Sequence, residues 1–242
     1  MTKTLTCILA CVLWFCSAVI HASDDIRATA APDKPSADRL MADLTTLRNS
    51  FIAAIKSNGF RVRLQAPTIV LDNPPSYGLY DDDKNILHIA VWSALTDQQQ
   101  NRFERLSKLL DNGKTAEQTF EESVHHWVFV HELGHWWQAD RGAAGNNHYS
   151  VEYGANRIAA AFWRQTDAGF MQQTENRMSK VISNIESPIA ESQAKETYFN
   201  ENYEKLGPTP AYIWFQYKMV LSVQAERPLP SFKQTLTQPI FP

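Results

Sequence analysis

A chain of 242 residues that is 44% hydrophobic and 20% charged, with only 12 Pro and 9 Gly, holds enough apolar material for a sizeable core, which excludes disordered and collagen-like classes. With 23 Lys plus Arg against 26 Asp plus Glu, the formal charge of -3 provides no positive field to hold phosphates, which argues against nucleic acid as a partner. About one domain is expected at this length.

Lys3 precedes an apolar run over residues 5–20, interrupted only by Thr6 and Ser17, and a small residue, Ala22, follows. This layout predicts a secretory signal peptide over residues 1–22, although Ile20 is larger than the residue ideally found two positions before the cut. An uncleaved anchor is the competing reading. Leu13-Trp14-Phe15 lacks the small side chains of a lipid-attachment box before Cys16. Cys7, Cys11 and Cys16 all leave with such a leader, so a disulfide scaffold and a Cys nucleophile are excluded, and any metal falls to His, Asp or Glu. Loss of Lys3 takes the 23 basic residues to 22 against 26 acidic, a net of -4. The expectation is a secreted or periplasmic chain without membrane attachment after cleavage. Residues 23–35, rich in Asp, Ala and Pro, read as a flexible lead-in, and residues 36–242 as a single domain.

Ser36 is placed to cap a helix whose Leu40, Leu44, Leu47, Phe51 and Ile55 share a face, with Gly59 as its stop. The period then changes. Val62 and Leu64 alternate with polar neighbours, residues 68–71 and 79–80 are strand-like, and residues 86–92 form another strand-like run. Together they predict a small twisted, mainly antiparallel sheet of about three strands. Asp81-Asp82-Asp83-Lys84-Asn85 reads as a hairpin turn, since no Glu follows at the spacing of a calcium loop. Thr96 with Gln99, and Thr115 with Gln118, are capping-box pairs. The second of them opens a helix predicted over residues 116–140 that is apolar on nearly every side and therefore central. A loop over 141–147, a helix over 150–165 and a helix over 211–226 behind Thr209-Pro210 follow, the last with Ile213, Tyr217, Val220 and Leu221 inward. The fold class is α+β, a small sheet on a mostly helical body.

Within the central helix stands His131-Glu132-Leu133-Gly134-His135. Residues four apart share a helix face, so both imidazoles reach one ion while Glu132 points beside it. Burial of all three among tryptophans costs several kcal/mol unless a partner compensates, and a divalent cation is the simplest partner. A catalytic zinc takes three protein ligands and leaves one position for water. The metzincin pattern fails, because Gln138 and Arg141 stand where its Gly and third His belong. Glu152 is the better third ligand, with Asn156 four residues on and on the same face.

His131 to His135 followed by Glu152-Tyr153-Gly154-Ala155-Asn156-Arg157-Ile158-Ala159 resembles the gluzincin metallopeptidases, especially the small ImmA/IrrE-like peptidases with their HELGH and E-x-x-A-N-x-x-A segments. The resemblance covers residues 60–163. It implies a small twisted sheet followed by an active-site helix and a helix carrying the Glu ligand. It also implies His131, His135 and Glu152 as ligands of Zn2+, Glu132 as general base, and Asn156 where many relatives carry Asp. One departure is that no His follows His148, so the oxyanion donor that some gluzincins draw from a downstream His must lie elsewhere. Tyr149, Tyr153, Tyr198, Tyr203, Tyr212 and Tyr217 are phenolic candidates among which sequence does not choose.

His125 and His126 lie outside the same tetrahedral shell, His88 is read as a packed or surface residue in a strand, and His148, in the loop before Glu152, is a candidate substrate contact. Gly134 and Gly154 each cost a helix about 1 kcal/mol relative to Ala, which is offset if their missing Cβ atoms let the two ligand helices approach. The reading is an exported zinc peptidase acting on a peptide or protein, with the strand at residues 86–92 as a docking rail for extended substrate. Its rivals are a catalytically inactive zinc-binding module that binds a peptide or protein partner, and a metal-free helical interaction protein. Residues 165–242 show amphipathic helices but no recognisable chemistry.

Overall fold

The computed structural model describes residues 34–143, 145, 147–190, 193–207 and 209–241. The expected signal peptide and nearly all of the lead-in fall outside them. Helix α1 (Lys34–Ser57) begins two residues before Ser36, which is therefore inside its first turn rather than at its cap. It buries Leu44, Phe51 and Ile55 and packs on the sheet and on the central helix. Gly59 follows with φ of +88°, the left-handed stop its position suggested.

Strands β1 (Thr68–Asp72), β2 (Gly78–Asp81) and β3 (Ile86–Ala90) form a sheet in the order β1-β3-β2. β3 pairs parallel with β1, from Thr68 opposite Ile86 to Asp72 opposite Ala90. It pairs antiparallel with β2, from Gly78 opposite Ile89 to Asp81 opposite Ile86, and the acidic stretch between them makes the hairpin turn. The sheet is thus mixed rather than mainly antiparallel, and β3 is its middle strand. No strand forms at Val62 and Leu64. The N–H groups of Arg63 and Leu64 instead donate to buried Asp140 Oδ1, at 2.6 and 2.7 Å, so a carboxylate takes the donors that a neighbouring strand would have used.

Helices α2 (Asp97–Leu110) and α3 (Ala116–Glu121) open on the expected Thr96 and Thr115 capping boxes. The rod beginning at α3 is not uniformly α-helical. It passes through a π-helical segment (Glu122–Val128) into α4 (Phe129–Asp140). A π turn carries an extra residue and resets the phase of what precedes it. Here it sets buried His125 against the sheet, with Nε2 2.9 Å from Ala90 O. It also brings Val128 down on Gly78, where a Cβ would overlap Val128 Cγ1 and stand 3.1 Å from Glu132 Cγ. The edge strand can approach the α4 rod because residue 78 has no side chain.

Helix α5 (His148–Thr166) is capped by Asn147, whose side chain accepts from Ser150 N, and it packs against α4. Helices α6 (Ala168–Ile182), α7 (Lys195–Leu206), α8 (Pro210–Ala225) and α9 (Phe232–Thr237) close around it. Thr209 caps α8 with Pro210 in its first turn, as expected, but the inward residues are Trp214, Phe215, Met219, Val220 and Val223. Of the expected set only Val220 is fully buried, because a helix apolar on most sides shows no stripe from which to choose the inner face. Arg157 of α5 grips Glu226, at the end of α8, through Nε and Nη2 at 3.0 and 2.9 Å, which fixes α8 alongside α5. A cluster of buried side chains extends from Leu44 of α1 to Leu236 of α9. Among the described residues no helix is long and apolar enough to cross a membrane.

The two helix glycines differ in what they accommodate. A Cβ on Gly134 would lie 3.1 Å from both Cα and O of Ala155, so this glycine does let α4 meet the α5 backbone. A Cβ on Gly154 would overlap the carbonyl of Pro239, stand 2.9 Å from Gln138 Nε2 of α4 and lie 3.1 Å from Ile240 Cα, so that space is shared by the segment after α9 and a side chain of α4. Gly134→Leu is expected to destabilise by at least about 1–3 kcal/mol through overpacking against backbone, seen as a lower urea midpoint. Gly169→Leu, at a helical site whose added Cβ meets only Asp167 Oδ1, should stay within about 0.5 kcal/mol of wild type.

Candidate metal centre

Packing of α4 on α5 brings His131, His135 and Glu152 together. His131 Nε2 is 3.1 Å from Glu152 Oε2, His135 Nε2 is 3.6 Å from the same oxygen, and the two Nε2 atoms are 3.1 Å apart. Three ligand atoms on a triangle of this size, with His131 and Glu152 buried and His135 partly so, form a group that could hold a metal ion.

Hydrogen bonds around the triangle determine which atoms face it. Glu152 Oε2 accepts from Gln216 Nε2 at 2.8 Å, and an ionised carboxylate can only accept. The amide of Gln216 must therefore present Oε1 to Asn156 Nδ2, at 2.7 Å. That turns Asn156 Oδ1 toward His131 Nδ1, at 3.1 Å, and puts the proton on Nδ1, leaving the Nε2 lone pair for the triangle. His135 is set in the same way. Gln138 Nε2 donates to the carbonyls of Val151 and Pro239, each at 2.8 Å, so its Oε1 accepts from His135 Nδ1 at 2.9 Å.

Electrostatics agree with the geometry. Burial opposes charge on Glu152, but the positive charge that the neighbouring His135 imidazole can carry, with His131 beside it, outweighs it and holds the carboxyl well below its usual range. Burial also opposes charge on His135, and the Glu152 carboxylate overrides it, raising the imidazole to about 9. Both shifts mark a place that favours positive charge. Glu152 Oε1 accepts from the phenols of Tyr203 and Tyr212, at 3.0 and 3.3 Å. Burial, and then the Glu152 charge, push both phenols up, which keeps them protonated and donating.

Glu132 stands beside the triangle and outside it. Its Oε2 accepts from the Tyr80 N–H of β2 at 2.9 Å, and among the described residues Oε1 has no hydrogen-bond partner. His125 is bound to the sheet, and His126 lies edge-on to Trp163 and Phe170. His88 is on the outer face of β3, paired with Asp72 at 2.6 Å. His148 stacks on Tyr203 at 4.0 Å between ring centroids. Tyr203 and Tyr212 are two of the six phenolic candidates among which sequence does not choose, and Gln216 is not singled out by sequence at all. Tyr212 and Gln216 leave a trace in sequence, being polar residues four apart in an apolar helix, as does Gln138 one turn beyond His135; nothing in the pattern of α7 separates Tyr203 from the other phenols.

Comparison with protein-family models, with curated proteins and with solved structures finds no match for this chain.

Asn156→Leu removes the acceptor that orients His131 and should weaken divalent-metal binding about 10–100-fold in competition with a chromophoric chelator. Unchanged affinity would remove Asn156 from the site.

Proposed function

We propose that the chain is an exported zinc-dependent peptidase that hydrolyses peptide or amide bonds with Glu132 as general base. The observation that carries this reading is the His131, His135 and Glu152 triangle with a second, non-converging acid, Glu132, beside it. Zinc bonds of about 2.0–2.2 Å at tetrahedral angles separate ligand atoms by about 3.3–3.6 Å. The separations here are 3.1, 3.1 and 3.6 Å, and the two imidazoles and one carboxylate suit that ion. The resemblance of residues 131–135 and 152–159 to gluzincins supports the same assignment.

When bound, zinc supplies Lewis acidity that acidifies a water and polarises a carbonyl. Glu132, anchored through Oε2 to β2, keeps Oε1 without a hydrogen-bond partner among the described residues, and Oε1 would accept a proton from water and return it to the leaving amine. Tyr203 and Tyr212 both donate to Glu152 Oε1, so one phenol can turn its proton to the carbonyl oxygen and steady negative charge there while the other keeps the carboxylate. β3, paired on both sides, cannot serve as the docking rail; that role passes to β2, an edge strand whose Tyr80 N–H points toward Glu132. Export is inferred from the leader, and the substrate is a peptide or protein.

A non-hydrolytic module that only holds zinc and binds a partner accounts for the ligands equally well. Glu132 favours the enzyme: Oε2 alone accepts the Tyr80 N–H, and the other oxygen of this buried acid has no hydrogen-bond partner among the described residues. Elemental analysis should give one zinc per chain, and a peptide library should be cleaved in a chelator-sensitive way. Glu132→Gln should keep the zinc and lose at least about 100-fold in turnover. Undiminished turnover by this variant would refute the role of Glu132, and absence of zinc would refute the metal.

A further inference from the structure

We infer that residues 239–241 form a clasp that sets how tightly the site holds its metal, an inference that rests on the zinc reading above. Gln138 and Pro239 lie 101 positions apart in sequence, yet the Pro239 carbonyl is one of two acceptors that fix the Gln138 amide. That amide fixes the His135 tautomer, so a backbone group far along the chain acts on a proposed ligand through one side chain.

The segment is held by contacts of its own. Phe241 N donates to Ser150 O at 3.3 Å, and the Phe241 ring packs on Tyr153 at 4.5 Å between centroids with the Arg157 guanidinium over it at 5.3 Å. Just before it, the Trp137 indole donates to Leu236 O at 3.1 Å, bringing the end of α9 to α4. Gly154 leaves the space through which the Pro239 carbonyl reaches Gln138. None of the anchors at Phe241 touches His131, His135 or Glu152, so the clasp can be loosened without altering a ligand. Linkage requires the effect to be mutual: if docking of the segment tightens metal binding, metal binding tightens docking by the same factor.

Four proteins test this: wild type, Phe241→Ala, Phe241→Tyr and Gly154→Ala, each titrated with zinc against a chromophoric chelator and loaded with Co2+ for its visible spectrum. Phe241→Ala and Gly154→Ala should bind zinc about ten-fold more weakly, with a changed cobalt spectrum, while their far-UV circular dichroism stays that of wild type. Phe241→Tyr, which keeps the ring, should bind as wild type does. Adding Gln138→Leu to Phe241→Ala should weaken binding less than Gln138→Leu does alone, because both act through one amide. In wild type, hydrogen exchange at the Phe241 amide should slow when zinc is added, a readout that needs no variant to fold. If wild type holds no zinc, the metal reading fails and the clasp with it. If wild type holds zinc but the Phe241 amide exchanges at the same rate with and without it, or the folded Phe241→Ala and Gly154→Ala proteins bind within two-fold of wild type, the clasp alone is overturned.

Discussion

To hold a metal ion, two imidazoles must offer bare Nε2 lone pairs to one point at the same time, and the hydrogen bonds around His131 and His135 meet this requirement. A neutral histidine has one proton for two nitrogens, so each ring needs an acceptor at Nδ1 that cannot turn into a donor. An amide side chain can present either end. Its orientation is fixed only if its other end meets a group that solely accepts. Glu152 does this for Gln216 and, through it, for Asn156 and His131. The Val151 and Pro239 carbonyls do it for Gln138 and His135. The carboxylate on the triangle therefore also selects the tautomer of the ring opposite, through a chain of hydrogen bonds that runs from Glu152 by way of Gln216 and Asn156 to His131.

The site needs three helices and a strand at close range, and the packing supplies them. α4 and α5 meet where Gly134 faces Ala155, α8 is drawn to α5 by the Arg157 and Glu226 pair, and β2 comes down on the rod at Gly78. The sheet contributes a backbone N–H to Glu132 rather than a side chain. Because this donor belongs to an edge strand, the orientation of the proposed base depends on the same strand that an extended substrate would join.

The parts legible in sequence are those encoded by local rules. Capping boxes at Thr96 and Thr115, the Asn156 position beside Glu152, and the i, i+4 histidines each depend on residues within one or two turns. The strand order was not legible. Alternation tells which residues face inward but not which strand lies in the middle, and around Val62 and Leu64 it is offset by Asp140, far along the chain, which takes the N–H groups of Arg63 and Leu64. The π-helical segment has no signature in composition, and it changed which way His125 points. Tyr203 joined Glu152 from 51 residues off, through a fold that no pattern within α7 could announce. Side chains that complete a site from distant helices are visible only once packing is known.

Trp136 and Trp137 come directly after His135, both fully buried, with indole N–H groups donating to Gln65 O and Leu236 O at 3.1 Å. Indole emission responds to the polarity and rigidity of its surroundings, and here two such chromophores are built into the ligand helix itself. The molecule thus carries an intrinsic optical gauge: a change in the set of α4 registers as a shift in fluorescence colour or yield, with no dye attached.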